Sequence, residues 1–77
     1  MLKGLVVEIA KALVDNPDDV DVREIEGEHT TVIELSVAKE DLGKVIGKEG
    51  RIAQATRVLL NAASAKIRKR VVLEIIE

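Results

Sequence analysis

Hydrophobic periodicity alternates between helical and strand-like spacing along this 77-residue chain, and the order of the alternation constrains the fold. Apolar residues recur at helical spacing from Leu2 to Val14, and Pro17 prevents the helix from continuing. One strand is predicted from Val20 to Glu26 and a second over TVIELSVA, residues 31–38, where apolar and polar residues alternate. A turn containing Gly27 separates the two strands, which therefore form an antiparallel hairpin.

The second half of the chain predicts two helices and a closing strand. A short helix over residues 38–47 faces the core through three apolar residues, Leu42, Val45 and Ile46. A longer helix begins near Arg51 and ends between residues 63 and 68, and VVLEII, residues 71–76, is a β-branched strand. The order α-β-β-α-α-β predicts an α+β fold, in which one domain over residues 1–77 has helices covering one face of a three-stranded mixed sheet.

Two details of these patterns carry further expectations. Ile25 is out of phase with Val20 and Val22, which predicts either a bulge in the first strand or a shift in which of its faces is covered. The long helix is expected to present an apolar core face, made of Ile52, Ala55, Leu59, Ala62 and Ala63. Its opposite face is expected to be solvated, with Gln54, Arg57, Asn61, Ser64 and Arg68. Val58 and Leu60 flank the core face on opposite sides, and this additional apolar surface predicts self-association.

Composition narrows the classes of function. The chain has no cysteine and no aromatic residue, so it can form neither disulfides nor aromatic platforms for stacked bases. No apolar run approaches the roughly 18 residues of a membrane span, and the N-terminus does not resemble a signal peptide, so we predict a soluble cytoplasmic protein. Residues 1–40 carry a net charge of −6 and residues 41–77 a net charge of +4, so only the second half favours a polyanionic partner.

The four residues GKEG, 47–50, join the two predicted helices. Glycines in this position can serve simply as the cap of one helix and the start of the next, and that structural interpretation stays open. Three features favour an anion site instead. The first N–H groups of the second helix lack intrahelical partners, and glycines allow a sugar-phosphate backbone to approach closely. In addition, Lys44, Lys48 and Arg51 surround the loop at spacings of four and three.

The segment VIGKEGRIAQAT, residues 45–56, resembles the Gly-x-x-Gly region of KH domains, and the predicted element order is similar to the type II KH arrangement. The resemblance covers nearly the whole chain and extends to small bacterial proteins that consist of little more than one KH domain. It implies a module that binds single-stranded RNA as an RNA chaperone or post-transcriptional regulator. It also implies a homodimer, or a heterodimer with a larger KH-containing protein.

The same resemblance implies which residues contact RNA: Lys44, Ile46, Gly47, Lys48, Glu49, Gly50, Arg51 and Ile52. Of the two loop residues between the glycines, Lys48 is the stronger candidate for a phosphate contact. Arg57 is a further flanking cation, although a charge is expected on its solvent face in any case. For Ile46 and Ile52, a role in the hydrophobic core remains an equal alternative.

Other interpretations also remain open. The chain is alternatively a protein-interaction or dimerisation module with weak or lost RNA binding, or an accessory domain of a larger RNA enzyme or GTPase. Both glycines and the basic flanks favour RNA binding over the protein-interaction module. No catalytic, cofactor or metal site is predicted, because His29 lies in a turn and the acids Asp15, Asp18, Asp19 and Asp21 do not have the spacing of a cation-binding loop.

Overall fold

The computed structural model describes residues 2–77 and places three α-helices against one face of a three-stranded sheet. In chain order the elements are α1 (Leu2–Leu13), β1 (Asp21–Glu26), β2 (Thr30–Ser36), α2 (Leu42–Ile46), α3 (Arg51–Ile67) and β3 (Arg70–Ile75). Short 3₁₀ turns precede β1, α2 and α3. The predicted α+β class and the order α-β-β-α-α-β are therefore confirmed, with boundaries close to those expected.

The sheet has the order β1-β2-β3, with β2 in the centre. It is mixed, because β2 is antiparallel to β1 and parallel to β3. Parallel neighbours cannot be joined by a tight turn and need a crossover connection. Here α2, the glycine loop and α3 form that crossover, so the loop lies between the two helices that link the paired strands β2 and β3.

The expected bulge in β1 is wrong. The pairing of β1 with β2 runs without interruption from Asp21 opposite Ser36 to Glu26 opposite Thr31. Ile25 is out of phase because it faces the outer side of the sheet, which no helix covers, and it is 54% exposed. It belongs to a row of apolar residues on that outer face, made of Ile25, Val32 and Val72.

The core consists of aliphatic residues contributed by every helix and strand. Its most deeply buried apolar side chains are Val6 on α1, Ile33 on the central strand and Leu60 on α3. The alternation predicted for β2 is confirmed, since Thr31, Ile33 and Leu35 are buried and the intervening residues are partly exposed. The three apolar residues of α2 also face the core, with Val45 buried and Leu42 and Ile46 partly buried.

The core face of α3 differs from the prediction by one residue, which is a rotation of about 100° around the helix. The buried residues are Ala53, Thr56, Leu60 and Ser64, whereas Leu59 is 53% exposed and Ala55 and Ala62 are exposed. Two hydroxyl groups make this burial possible. Thr56 donates to the Ile52 carbonyl at 2.9 Å and Ser64 donates to the Asn61 carbonyl at 2.9 Å, so neither polar group is left unpaired.

The predicted core face of α3 therefore forms part of the surface. Leu59 lies on the side of α3 that faces α1, whereas Val58, which is 56% exposed, lies on the outward side of the helix next to Ala62. A groove between α1 and α3 continues this surface and is almost entirely apolar, with Leu2, Leu5, Ala62, Ala63 and Ile67 among its lining residues. We call the combined surface, residues 58 and 59 together with this groove, the apolar face of α3.

Candidate nucleic-acid interface

The glycine loop has an unusual backbone conformation that explains both of its glycines. Gly47 has φ 79° and ψ 169°, a combination that is almost restricted to glycine. A Cβ at this position would lie 2.6 Å from Cγ1 of Ile52 and 2.9 Å from its backbone nitrogen. Gly50 is also left-handed, with φ 73°, but a Cβ there would meet no atom within 4 Å. Gly47 is thus required for close packing and Gly50 only for its backbone angles.

The start of α3 presents backbone N–H groups at the loop. Gly50 is the N-cap residue, and within residues 2–77 no side chain caps this end of the helix. The first turn of α3 also contains no acidic residue. The Arg51 N–H already donates to the Lys48 carbonyl, so an anion that approaches the loop meets the positive end of the helix dipole and the later N–H groups of the first turn.

Lys48 is the most accessible cation of the loop. Its side chain is exposed, and it makes no ion pair with any of the described residues. Glu49 has φ 58° and pairs with Arg51 at 3.5 Å. Because both partners are largely exposed, this ion pair contributes little stability and can open when a phosphate approaches.

Lys44 is held on the other side of α2 by a buried cluster. Its Nζ lies 3.2 Å from Asp15 and 3.4 Å from Asp41, whose side chain is completely buried. The Asp41 carboxylate also accepts hydrogen bonds from the backbone N–H of Asp15, at 3.2 Å, and from the backbone and side chain of Asn16, both at 2.9 Å. The cluster ties the loop after α1 to the start of α2. A direct contact of Lys44 with RNA stays a prediction.

The ionisation of this cluster follows from its contacts. Burial alone would raise the pKa of Asp41, but the hydrogen bonds from Asn16, Asp15 and Lys44 outweigh it and hold the pKa below its usual value of 3.8. The hydrogen bond and the charge of Asp15 raise the pKa of Lys44 above its usual 10.5, and Asp41 adds to this effect. Both groups are therefore charged near neutral pH.

Replacing Asp41 by asparagine is expected to lower the melting temperature by at least about 8 °C. An amide accepts on one side only, so a backbone N–H of Asp15 or Asn16 would face another donor. The depressed pKa of Asp41 means that its stabilisation is present above its unfolded-state pKa and is lost as the pH falls through the folded value. Thermal unfolding between pH 7 and pH 2 should therefore show a smaller acid dependence in the variant.

The exposed Asp18 provides the control for this measurement. Asp18→Asn should leave both the melting temperature and its pH dependence close to those of the parent. Equal melting temperatures for the variants at positions 18 and 41 at pH 7 would show that the buried cluster does not hold the start of α2.

A groove lies between α3 and the free edge of β3, and on α3 it begins at Arg57, seven residues after Gly50. It is lined by Arg57, Leu60, Asn61 and the strand residues Arg70, Val71, Val72 and Leu73. In β3, the N–H groups of Arg70 and Ile76 donate towards β2, to His29 and Leu35. Because backbone groups alternate along a strand, the N–H and C=O groups of Val71 and Leu73 point away from β2 into the groove. They can form hydrogen bonds with the edge of a base.

The groove and the loop share an unbroken region of positive charge. Residues 50–73 contain six arginine and lysine residues and no aspartate or glutamate. Arg57 and Arg70 stand on the two sides of the groove, and neither is ion-paired within the described chain. A polyanion lying along α3 therefore meets mainly cations, with carboxylates at the two ends of the helix: Glu49 in the loop and Glu26, which pairs with Lys69 at 3.5 Å.

The predicted RNA-binding residues form one continuous group from Ile46 to Ile52, with Lys44 directed to the buried cluster. Ile46 and Ile52 are both partly buried, and Ile52 packs beneath Gly47. The sequence prediction missed two groove residues, Asn61 and Arg70. Helical periodicity had placed Asn61 on a solvated face, and only the tertiary position of β3 beside α3 turns that face into a groove wall.

Two helices joined by a Gly-x-x-Gly loop, with the free strand edge beside the second helix, define a KH domain. The family model described as the KH domain of KhpA and KhpB matches residues 3–75. The chain belongs to this KhpA/KhpB family of KH domains. Together with the element order, this match confirms the family predicted from the glycine loop.

Three curated relatives illustrate the similarity, and each carries the name RNA-binding protein KhpA. The protein of Caldanaerobacter subterraneus subsp. tengcongensis is 65% identical over 94% of this chain and 96% of its own length. That of Aquifex aeolicus is 63% identical over 99% of this chain and 96% of its own length. That of Clostridium acetobutylicum is 57% identical over 97% of this chain and the whole of its own length. No solved structure gives a significant match.

The described residues contain neither a helix that could cross a membrane nor a group of side chains that could hold a metal ion. Between residues 2 and 77 no helix is long and apolar enough to cross a membrane. The same part of the chain contains no group of three or more histidine, cysteine, aspartate or glutamate side chains arranged to hold a metal ion.

Proposed function

We propose that this KH domain binds single-stranded RNA, with the phosphates at the glycine loop and the bases in the groove beside β3. The observation that carries the proposal is that one helix contributes to both. α3 begins without a side-chain cap at the loop that Gly47 allows to pack closely, and about two turns further on it forms one wall of a groove whose lining contains no acidic residue. The names of the relatives, which describe RNA-binding proteins, agree with this proposal.

In this arrangement the loop supplies affinity and the groove supplies the limited base preference. Backbone N–H groups at the start of α3 and the Lys48 ammonium, together with a flanking cation, receive two or three phosphates. The bases lie over the aliphatic floor of Leu60 and meet the free backbone groups of Val71 and Leu73. Because the chain has no aromatic ring for stacking, we expect weak binding per domain and modest sequence preference.

The strand preference and the salt dependence of binding test this proposal. Two or three phosphate contacts predict a log–log salt slope of roughly −1.4 to −2 for single-stranded RNA. Duplex RNA of the same sequence should bind much more weakly, because its stacked bases cannot enter the groove. Fluorescence anisotropy with a labelled 12-mer, alone and annealed to its complement, measures both. Equal affinity for the two forms would contradict the proposed binding mode.

The role of an RNA chaperone or post-transcriptional regulator, acting in the cytoplasm, belongs to the same proposal. So does association with a second copy or with a KhpB-type protein that contains a KH domain. The apolar face of α3 supports association, because small domains rarely leave such a contiguous apolar surface exposed without a partner. This face and the groove lie on opposite sides of α3, so a dimer would leave both RNA grooves open. If RNA binding proves negligible, the same face supports the alternative function of a protein-interaction module.

Leu59→Asp is expected to shift a self-associated chain to the monomer, because it places a charge in the centre of the apolar face. Sedimentation velocity at tens of micromolar measures the change, and Val58→Asp should act in the same direction. Leu60, which flanks the predicted core face, is unsuitable for this test because it is 1% exposed and its replacement by aspartate would unfold the domain.

Ile25→Asp provides the matched control for the association experiment. Ile25 has almost the same exposure as Leu59 but lies on the outer face of the sheet. Self-association should survive this change. A parent chain that is strictly monomeric under these conditions would contradict self-association. Equal effects of Leu59→Asp and Ile25→Asp would show that the apolar face of α3 is not the interface.

A further inference from the structure

The C-terminal end of α3 contains a second unusual backbone position, at Arg68. This residue follows the helix with φ 56° and ψ 33°, the left-handed conformation in which glycine is the usual residue. Its side chain is exposed and, among residues 2–77, makes no ion pair or side-chain hydrogen bond that would explain an arginine there. An unfavourable backbone angle with no local compensation suggests a function for the side chain.

Arg68 lies at the end of α3, two residues before Arg70 in the sequence. Arg70 lines the groove on the β3 side, and Arg57 and Asn61, four residues apart on α3, line its other side. The neighbouring Lys69 forms an ion pair with Glu26 at 3.5 Å, so the charge of Lys69 is partly compensated. Arg68 thus extends the row of cations beyond the end of the groove.

The distance from the glycine loop sets the length of RNA that reaches this arginine. The 17-residue helix α3, Arg51–Ile67, is about 26 Å long, and Arg68 follows its last residue. Four nucleotides, the number held by a Gly-x-x-Gly loop, cover roughly 10 Å at stacked spacing and about 20 Å at twice that spacing. A tetranucleotide held at the loop therefore stops short of Arg68, whereas a strand of ten or more nucleotides passes it.

We propose that Arg68 is a second phosphate contact, used by RNA that leaves the groove at the end opposite the glycine loop. The inference rests on the proposed RNA binding and extends the site beyond four nucleotides. It also explains why the chain keeps an arginine at a position that favours glycine. A phosphate contact there adds affinity only to long strands and contributes its own share of the salt dependence.

The test compares Arg68→Gly with the parent on a single-stranded 4-mer and a 12-mer. Glycine relieves the backbone strain, so the melting temperature should stay the same or rise. Affinity for the 12-mer should fall about fourfold at 0.15 M salt and the salt slope should become shallower by about 0.7, as expected for one lost phosphate contact. Affinity for the 4-mer should not change.

Lys11→Gln is the matched control, because Lys11 is an exposed cation at the C-terminal end of α1 and belongs neither to the groove beside β3 nor to the apolar face of α3. It should leave the affinity for both oligonucleotides unchanged. The inference is wrong if Arg68→Gly binds the 12-mer as the parent does, if it weakens both lengths equally, or if Lys11→Gln weakens the 12-mer to the same extent. A parent chain that binds neither oligonucleotide would instead contradict the proposed RNA binding itself.

Discussion

Replacing Gly47 by alanine is expected to reduce the free energy of unfolding by about 3 kcal/mol and the affinity for single-stranded RNA at least tenfold. The alanine Cβ would overlap the backbone nitrogen and side chain of Ile52, in a backbone conformation almost restricted to glycine. Relief of the overlap moves the loop away from the start of α3. For a domain of this length, whose total stability is roughly 4–12 kcal/mol, the loss is large.

Gly50→Ala provides the comparison, because the two glycines differ in their surroundings. A methyl group at position 50 meets no neighbour, so only the left-handed angle opposes it and the cost is about 1 kcal/mol. Thermal unfolding should separate the two variants clearly. RNA binding, measured well below both melting temperatures, should do the same. Equal melting temperatures would show that Gly47 does not pack against Ile52 as described.

The fold and the loop could be predicted because their signals are local. Clean alternation in β2, the proline after α1 and two glycines between apolar helical segments each depend on neighbouring residues only. The rotation of α3 could not be predicted in the same way. Its predicted core face is the more apolar one, and the observed burial of Thr56 and Ser64 depends on hydroxyl groups bonding to their own helix.

Other parts of the site depend on contacts between distant segments. Asp41 lies in a charged stretch, KED, that resembles a surface turn, yet it is fully buried by partners 25 and 26 residues away. The same contacts engage Lys44, which its spacing from Gly47 had placed among the loop cations. Asn61 and Arg70 come together only when β3 pairs in parallel with β2 and lies beside α3. No periodic pattern carries this information.

Replacing Lys48 and Glu49 together by aspartate should reduce the affinity for unpaired RNA at least tenfold and leave the melting temperature nearly unchanged. Both side chains are exposed, and the left-handed angle at position 49 tolerates aspartate well. The change removes the loop's free cation and places two carboxylates where the proposed phosphates lie. Repulsion at the start of α3 then replaces attraction, while the core contacts of the loop through Gly47 remain intact.

The chain offers a matched control for this experiment, since the same dipeptide occurs as Lys39-Glu40, exposed in a 3₁₀ turn before α2. Replacing that pair by two aspartates changes the net charge identically, away from the glycine loop. The decisive measurement is the affinity of both double variants and the parent for a single-stranded RNA 12-mer at 0.15 M salt. The proposed function predicts a loss of at least tenfold for the variant at positions 48 and 49, and near-parental binding for the variant at positions 39 and 40. Parental affinity in the loop variant would contradict it, and the loop would then be only a corner between two helices.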